Sequence, residues 1–403
     1  MLRSRFPLVL VLALLSGLAV VTAPAASAQG ACPDHQAPPP PVDTSERPPP
    51  GQAEPAPLPM PAEPVGGARM GECGMVFPAG AATPPETTAA SWVVQDLDTG
   101  AVVAAKNPHA RERPASLIKT LLALVVLKDL DQDQVIVPTE EDATQECTCV
   151  GIVAGGSYTV DQLLHGLLMH SGNDVAHAFA TALGGVPATV QKMNDLAASL
   201  GATDTRAATP SGLDGPGMST SAYDLSLIFH QAMRHPEFAA AVSTKSFQFP
   251  DEPGKPAFSI VNDNKLLGGY PGFLGGKTGF TDDARHTYVG GAERDGRRLA
   301  VVMMRAEQRP TMVVTQAAEL LDYGFTLEKA GAQPVGRLVE PANPAEKAAG
   351  APEQAAKAGA TAKIPARDPF GLLGWMVTLA VALLIVTGFV IAYQRRRKTD
   401  SPS

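Results

Sequence analysis

Three short patterns in this chain could together carry out acyl transfer. Ser116-Leu117-Ile118-Lys119 sets a hydroxyl and an amine at i and i+3, neighbours on one face of a helix. A serine hydroxyl is a weak nucleophile until a base takes its proton. A lysine can be that base once burial and a nearby cation lower its pKa, and Lys277 is a candidate for that cation. Ser116 falls in the first turn of its helix, where backbone N–H groups lack helical partners and, with the helix dipole, can stabilise an oxyanion. Ser171-Gly172-Asn173 follows a helix end. Ser171 can relay a proton between Lys119 and a leaving group, while Asn173 can hydrogen-bond a substrate amide and hold Lys119 in place.

Lys277-Thr278-Gly279 follows the glycine-rich run Gly272-Phe273-Leu274-Gly275-Gly276. On an edge strand it could pair with an extended peptide. Lys277 and Thr278 would receive a substrate carboxylate, Gly279 would permit close backbone approach, and the N–H of Phe280 would be a second oxyanion donor. Each pattern alone has an ordinary explanation: a surface lysine one turn past a serine, a capping turn, a β-turn. Their single occurrence, in this order, is what points to a nucleophilic serine. Other catalytic patterns are absent. There is no G-x-S-x-G elbow and no H-E-x-x-H, and His170 and His286 read as structural or peripheral.

These residues need elements to position them. Ser91 to Leu97 and Ala101 to Ala105 read as strands around the turn Asp98-Thr99-Gly100. Helices are expected over Pro114 to Lys128, from the capping box Thr159-Val160-Asp161-Gln162 to about His170, and over Asp174 to Leu183. Others are expected over Pro187 to Leu200, stopped by Gly201, and over Ser221 to Arg234. Strands then return at Leu274 to Phe280, His286 to Glu293 and Arg298 to Arg305, the last two joined at Asp295-Gly296. Thr311 to Tyr323 closes the domain as a helix. Strands at both ends with helices between them predict an α+β fold with an antiparallel sheet covered by helices.

The ends have other compositions. Residues 1–28 read as a signal peptide, with Arg3 and Arg5, an apolar Leu8 to Leu15 and the cleavage site Ala26-Ser27-Ala28. Residues 29–71 form a proline-rich linker expected to be extended or disordered. The globular domain is expected over 72–328, and 329–369 read as an Ala/Pro-rich tether. Phe370 to Tyr393 is apolar and long enough to cross a hydrocarbon core of about 30 Å. The basic tail 394–403 then predicts a cytoplasmic C-terminus and a single-pass protein whose catalytic domain faces outward. An exported domain permits disulfides. Of Cys32, Cys73, Cys147 and Cys149, the two close cysteines would form a strained ring with each other, so each is expected to pair with Cys32 or Cys73. Net charge is −8, with no basic patch outside the tail, so nucleic-acid binding is not indicated.

The motif set resembles that of the serine-type D-alanyl-D-alanine carboxypeptidases, the low-molecular-mass penicillin-binding proteins. Pro114-Ala115-Ser116-Leu117-Ile118-Lys119 is similar to that family's nucleophile segment. Thr209-Pro210-Ser211-Gly212-Leu213 and the stretches Asn264-Lys265-Leu266-Leu267 and Tyr270 to Thr281 resemble further family segments. The likeness spans about residues 85 to 328. It implies the penicillin-binding/transpeptidase-like fold, a five-stranded antiparallel sheet with a helical subdomain and the site between them. It also implies Ser116 as the acylated residue, Lys119 as its base, and Lys277 and Thr278 as carboxylate ligands. The substrate implied is a peptidoglycan stem peptide ending in D-Ala-D-Ala, with β-lactams as acylating mimics and no cofactor or metal. Ala284-Arg285 stands where many members have Ala-Gly, and no β-rich C-terminal domain precedes the apolar run. A class A β-lactamase would deacylate through a Glu between the second and third motifs, and no Glu occurs from Cys147 to Pro236. A transpeptidase would use the same acyl-enzyme. A non-catalytic penicillin-binding scaffold would leave the full residue set without a purpose.

Overall fold

The computed structural model describes Cys32 and residues 34–146, 148–251 and 254–340. The strands and helices follow in chain order. They are β1 Met75–Val76, β2 Ser91–Asp96, β3 Ala101–Lys106, α1 Lys119–Asp129, β4 Val135–Ile136, α2 Glu140–Ala143, β5 Tyr158–Thr159, α3 Val160–Met169, α4 Asn173–Ala182 and α5 Val186–Leu200. Then come α6 Ala222–Ala232, α7 Pro236–Ser243, β6 Ser246–Phe249, β7 Phe258–Val261, β8 Phe273–Thr281, β9 Arg285–Arg294, β10 Arg297–Ala306, α8 Val313–Lys329 and β11 Gly336–Arg337.

The main sheet has seven strands, ordered β1-β3-β2-β10-β9-β8, with β11 also on β3. Its pairings are all antiparallel. The expected five-stranded sheet is therefore corrected. The long strands β2, β3, β8, β9 and β10 carry two additional two-residue strands on the outer edge of β3. At two residues each, these have no side-chain periodicity to read. The central strands alternate between two cores. Ala300, Val302 and Met304 of β10 face the helical lobe with α1, α3 and α6. Leu299, Val301 and Met303 face α8. This is the period of two that a strand buried on both faces requires. Gly324 lies inside α8 because a Cβ there would come 2.7 Å from Val94 Cγ1, so the helix approaches the sheet closely and runs past the expected end at Tyr323.

α1 is buried from Lys119 to Val126, so its core side wraps the whole helix and gives it no amphipathic signature. Thr159 and Gln162 form the expected capping box. Gly201 ends α5 at φ 85°, and Asp295 and Gly296 both have positive φ in the β9–β10 turn, as a two-residue hairpin needs.

Two expectations are corrected. Among the described residues no helix is long and apolar enough to cross a membrane. The longest, α8, has 17 residues and carries Glu319, Asp322, Glu328 and Lys329. The expected transmembrane helix, and with it the membrane as a partner and the single-pass location, is therefore corrected to this extent: no helix among the described residues carries it. The segment 370–393 that suggested it, the signal segment 1–28 and the tail 394–403 lie outside the described residues. The disulfide pairing also differs. Cys32 is bonded to Cys73, and Cys149 is disulfide-bonded as well. Finally, the proline-rich stretch has no helix or strand before Ala68, yet it lies against the body. Free carbonyls of an irregular chain are good acceptors, and the buried Arg111 takes those of Gln36, Leu58 and Pro59.

Candidate active site

The nucleophile segment begins as a 3-10 turn, Ala115–Ile118, before α1 starts at Lys119. The helix expected from Pro114 thus opens with a 3-10 turn. The change helps the chemistry, because residues at i and i+3 nearly eclipse in a 3-10 turn. Lys119 Nζ lies 2.9 Å from Ser116 Oγ. Ala115, just before the serine, has φ 47°, a left-handed conformation that non-glycine residues rarely hold.

The turn is held from three sides. Thr287 of β9 donates its Oγ1 hydrogen to Pro114 O at 2.9 Å. A Cβ on Gly212 would stand 2.0 Å from Ala115 O, and one on Gly279 would stand 2.9 Å from Ser116 N. Strand β8, the Gly212 loop and the serine turn therefore meet at distances only glycine allows.

Lys119 is fully buried. Its Nζ also contacts Asn173 Oδ1 at 2.7 Å and Ser211 O at 2.5 Å. Burial, and then the charge of Lys277, hold its pKa well below the usual lysine range, against a small opposing pull from Asp174. Lys277 is 1% exposed and donates to Thr278 O at 2.7 Å. Burial lowers its pKa to about 8, and Asp263 raises it in part.

Lys119 thus touches both Ser116 and Asn173, and Lys277, Thr278, Gly279 and Phe280 lie on the end strand β8. Ser171 is buried at the turn between α3 and α4 with φ 63°. It forms no hydrogen bond with Ser116 or Lys119 among the described residues. The amide Nδ2 of Asn173, expected on a substrate, donates instead to Glu146 O at 2.7 Å. Phe280 is 48% exposed, with Arg285 5.5 Å over its ring. Arg285, the departure noted in the sequence, also pairs with Glu307 at 2.9 Å, so it shapes the rim and leaves the centre untouched. His170 Nδ1 stands 3.6 Å from Asp263.

Two contributors escaped the sequence. Ser211 acts through its backbone carbonyl, which no residue type announces; the adjacent Gly212 was the available signal. Thr287 sits mid-strand, where threonine is an ordinary β-former.

The D-alanyl-D-alanine carboxypeptidase family profile matches residues 79–308. The chain belongs to this family. It is 50% identical over 257 residues to the D-alanyl-D-alanine carboxypeptidase DacB2 of Mycobacterium tuberculosis, covering 62% of this chain and 87% of that one. It is 29% identical to DacF of Bacillus subtilis, over 59% of this chain and 62% of that one. A crystal structure of a D-alanyl-D-alanine carboxypeptidase from M. tuberculosis superposes with TM-score 0.61 at 46% identity, over 66% of this chain and 99% of that one. A Streptomyces DD-transpeptidase superposes with TM-score 0.57 at 26% identity, over 61% and 100%. The protein is a serine-type D-Ala-D-Ala carboxypeptidase that removes a terminal D-Ala.

Proposed function

We propose that Ser116 is the acylated nucleophile, Lys119 its general base, and the peptidoglycan stem peptide the substrate. The observation that carries this is the hydrogen bonding of Lys119 Nζ. A neutral lysine amine has two N–H bonds and one lone pair. Asn173 Oδ1 and Ser211 O stand at 2.7 and 2.5 Å to accept the two hydrogens. The lone pair then faces Ser116 Oγ at 2.9 Å and can take the hydroxyl proton.

The C-terminal carboxylate of the peptide lies against Lys277 and Thr278. Ser116 Oγ attacks the carbonyl carbon of the penultimate D-Ala, and its proton passes to Lys119. The N–H groups of Ser116 and Phe280 hold the oxyanion. As the C–N bond breaks, Lys119 returns the proton to the leaving amine, with Ser171 as relay, and free D-Ala departs. Water then attacks the ester, Lys119 takes its proton and returns it to Ser116 Oγ as the C–O bond breaks, and the shortened peptide leaves. A β-lactam places its ring carbonyl in the same position and acylates Ser116. An amine acceptor in place of water would give transpeptidation, the activity named for the Streptomyces relative.

Labelled penicillin followed by peptide mapping tests the assignment. The adduct should fall on the peptide bearing Ser116 and vanish in Ser116→Ala. An adduct on another serine would overturn it.

A further inference from the structure

Residues 34–66 lie outside the span matched by the family profile and contain the runs Pro38 to Pro41 and Pro48 to Pro50. The segment is tied down near both ends. Cys32 is bonded to Cys73, and Val65 O lies 2.9 Å from His109 Nε2. Between these ties Arg111, 1% exposed, donates to Gln36 O and Leu58 O at 2.7 Å.

The stretch Val42 to Glu46 reaches Arg113 and Asp283, neighbours in sequence of the serine turn and of β8. Glu46 makes a two-pronged ion pair with the guanidinium of Arg113, one prong at 2.8 Å. The carboxylate of Asp283 accepts from Val42 N and, at 3.4 Å, from Ser45 Oγ. Arg113 leads directly into the serine turn, and Asp283 lies two residues past the end of strand β8 at Thr281. The segment is therefore held both to the lead-in of the serine turn and to the chain just past the end of β8.

The direction of a bound peptide follows from the proposed site, and what comes next rests on that assignment. Its carboxylate lies at Lys277 and Thr278, and its scissile carbonyl at Ser116 and Phe280. The chain from carboxylate to carbonyl thus runs with rising residue number along β8. The part upstream of the scissile bond continues past Thr281 and meets Asp283. At about 3.3 Å per extended residue, roughly three donor residues fit before the Val42–Glu46 stretch. Proline-rich chain is stiff and loses little entropy when held in place, which suits a fixed barrier.

We propose that residues 34–66 form a specificity strap that closes the acyl-donor end of the cleft and discriminates against donors with bulk beyond about three residues upstream of the scissile bond. Glu46–Arg113 and Val42–Asp283 are its hooks. Val42 and Glu46 bond to Asp283 and Arg113, and neither forms a hydrogen bond with Ser116 or Lys119 among the described residues.

The test uses the full chain carrying Val42→Pro, which removes the N–H donor at an exposed site, together with Glu46→Ala. D-Ala release is measured from an N-acetylated tripeptide and a matched N-acetylated heptapeptide, both ending in D-Ala-D-Ala. Hydrogen exchange of the amides between residues 43 and 47 is followed in parallel. Faster exchange is expected, with kcat/KM for the heptapeptide rising roughly tenfold relative to the tripeptide and the tripeptide itself unchanged. Glu46→Gln, which keeps the side-chain size, should shift the ratio in the same direction by less. Faster exchange with an unchanged ratio would overturn the strap, as would equal gains on both peptides. Unchanged exchange would also overturn it, because the named hooks would not be what holds it. Release from the tripeptide that survives Ser116→Ala would instead sink the assignment of the site, and the strap with it.

Discussion

At the residue scale the account turns on two buried lysines with opposite duties. Lys119 must be neutral to accept a proton, and burial, then the charge of Lys277, push its pKa down in that direction. Lys277 must be charged to attract a carboxylate, and its pKa is about 8. The pH profile follows with its sign. For the free enzyme, kcat/KM should fall on the acid side as Lys119 gains its proton, and fall on the alkaline side as Lys277 loses its own through about pH 8. Lys277→Arg, which stays charged, should move the alkaline limb upward; an unmoved limb in a kcat/KM profile would contradict the assignment. Lys119→Ala should lower kcat by about 10²–10⁴, the usual range for a lost general base. The Ser-x-x-Lys pair was legible because i and i+3 share a face in either kind of helical turn. The carbonyl of Ser211, closer to Lys119 than any side chain, was not, since every residue has one.

At the element scale, the serine turn is placed by contacts among β8, β9 and the Gly212 loop. Thr287→Val removes the hydrogen bond to Pro114 O while keeping volume. It should leave a folded protein, destabilised by about 1 kcal/mol, whose kcat falls more than its thermal midpoint suggests. Gly212→Ala puts a methyl 2.0 Å from Ala115 O at a φ of 89° and should destabilise by more than about 2 kcal/mol, as strained left-handed positions do; thermal unfolding checks both. The long strands and most helices could be read from periodicity and caps. α7 and the β6–β7 hairpin were missed, because Pro236–Ser243 is short, with only Phe238, Ala241 and Val242 buried, and the hairpin strands have four residues each, half of them exposed, so the pattern runs over too few residues to read.

At the scale of the whole molecule, the N-terminal segment makes contacts that its composition does not announce. Proline content predicts a loose chain, but contacts from distant residues fix it, and a count of prolines cannot reveal Arg111, Arg113 or Asp283 waiting as partners. Replacing Cys32 and Cys73 by serine should lower stability by about 2–4 kcal/mol, as losing such a cross-link usually does, with a lower thermal midpoint as the readout. A pH effect on stability belongs to the same region. Burial raises Asp214 from 3.8 to about 6, and the carboxylates of Asp283 and Glu46 add to it while Thr281 and Arg113 oppose it. Between those values the unfolded chain is ionised and the folded one still protonated, so this group's contribution falls as pH rises from about 4 to about 6 and stays lost above. Asp214→Asn should therefore gain more in thermal midpoint at pH 7.5 than at pH 4; equal gains would contradict the shift.

The most direct test of the central claim is D-Ala release from an N-acetylated peptide ending in D-Ala-D-Ala, measured for the wild-type chain beside Ser116→Ala and Lys119→Ala. The account predicts release by the wild type, none above background for the serine variant and a large loss for the lysine variant. Release that persists in Ser116→Ala, with the variant folded, would contradict it.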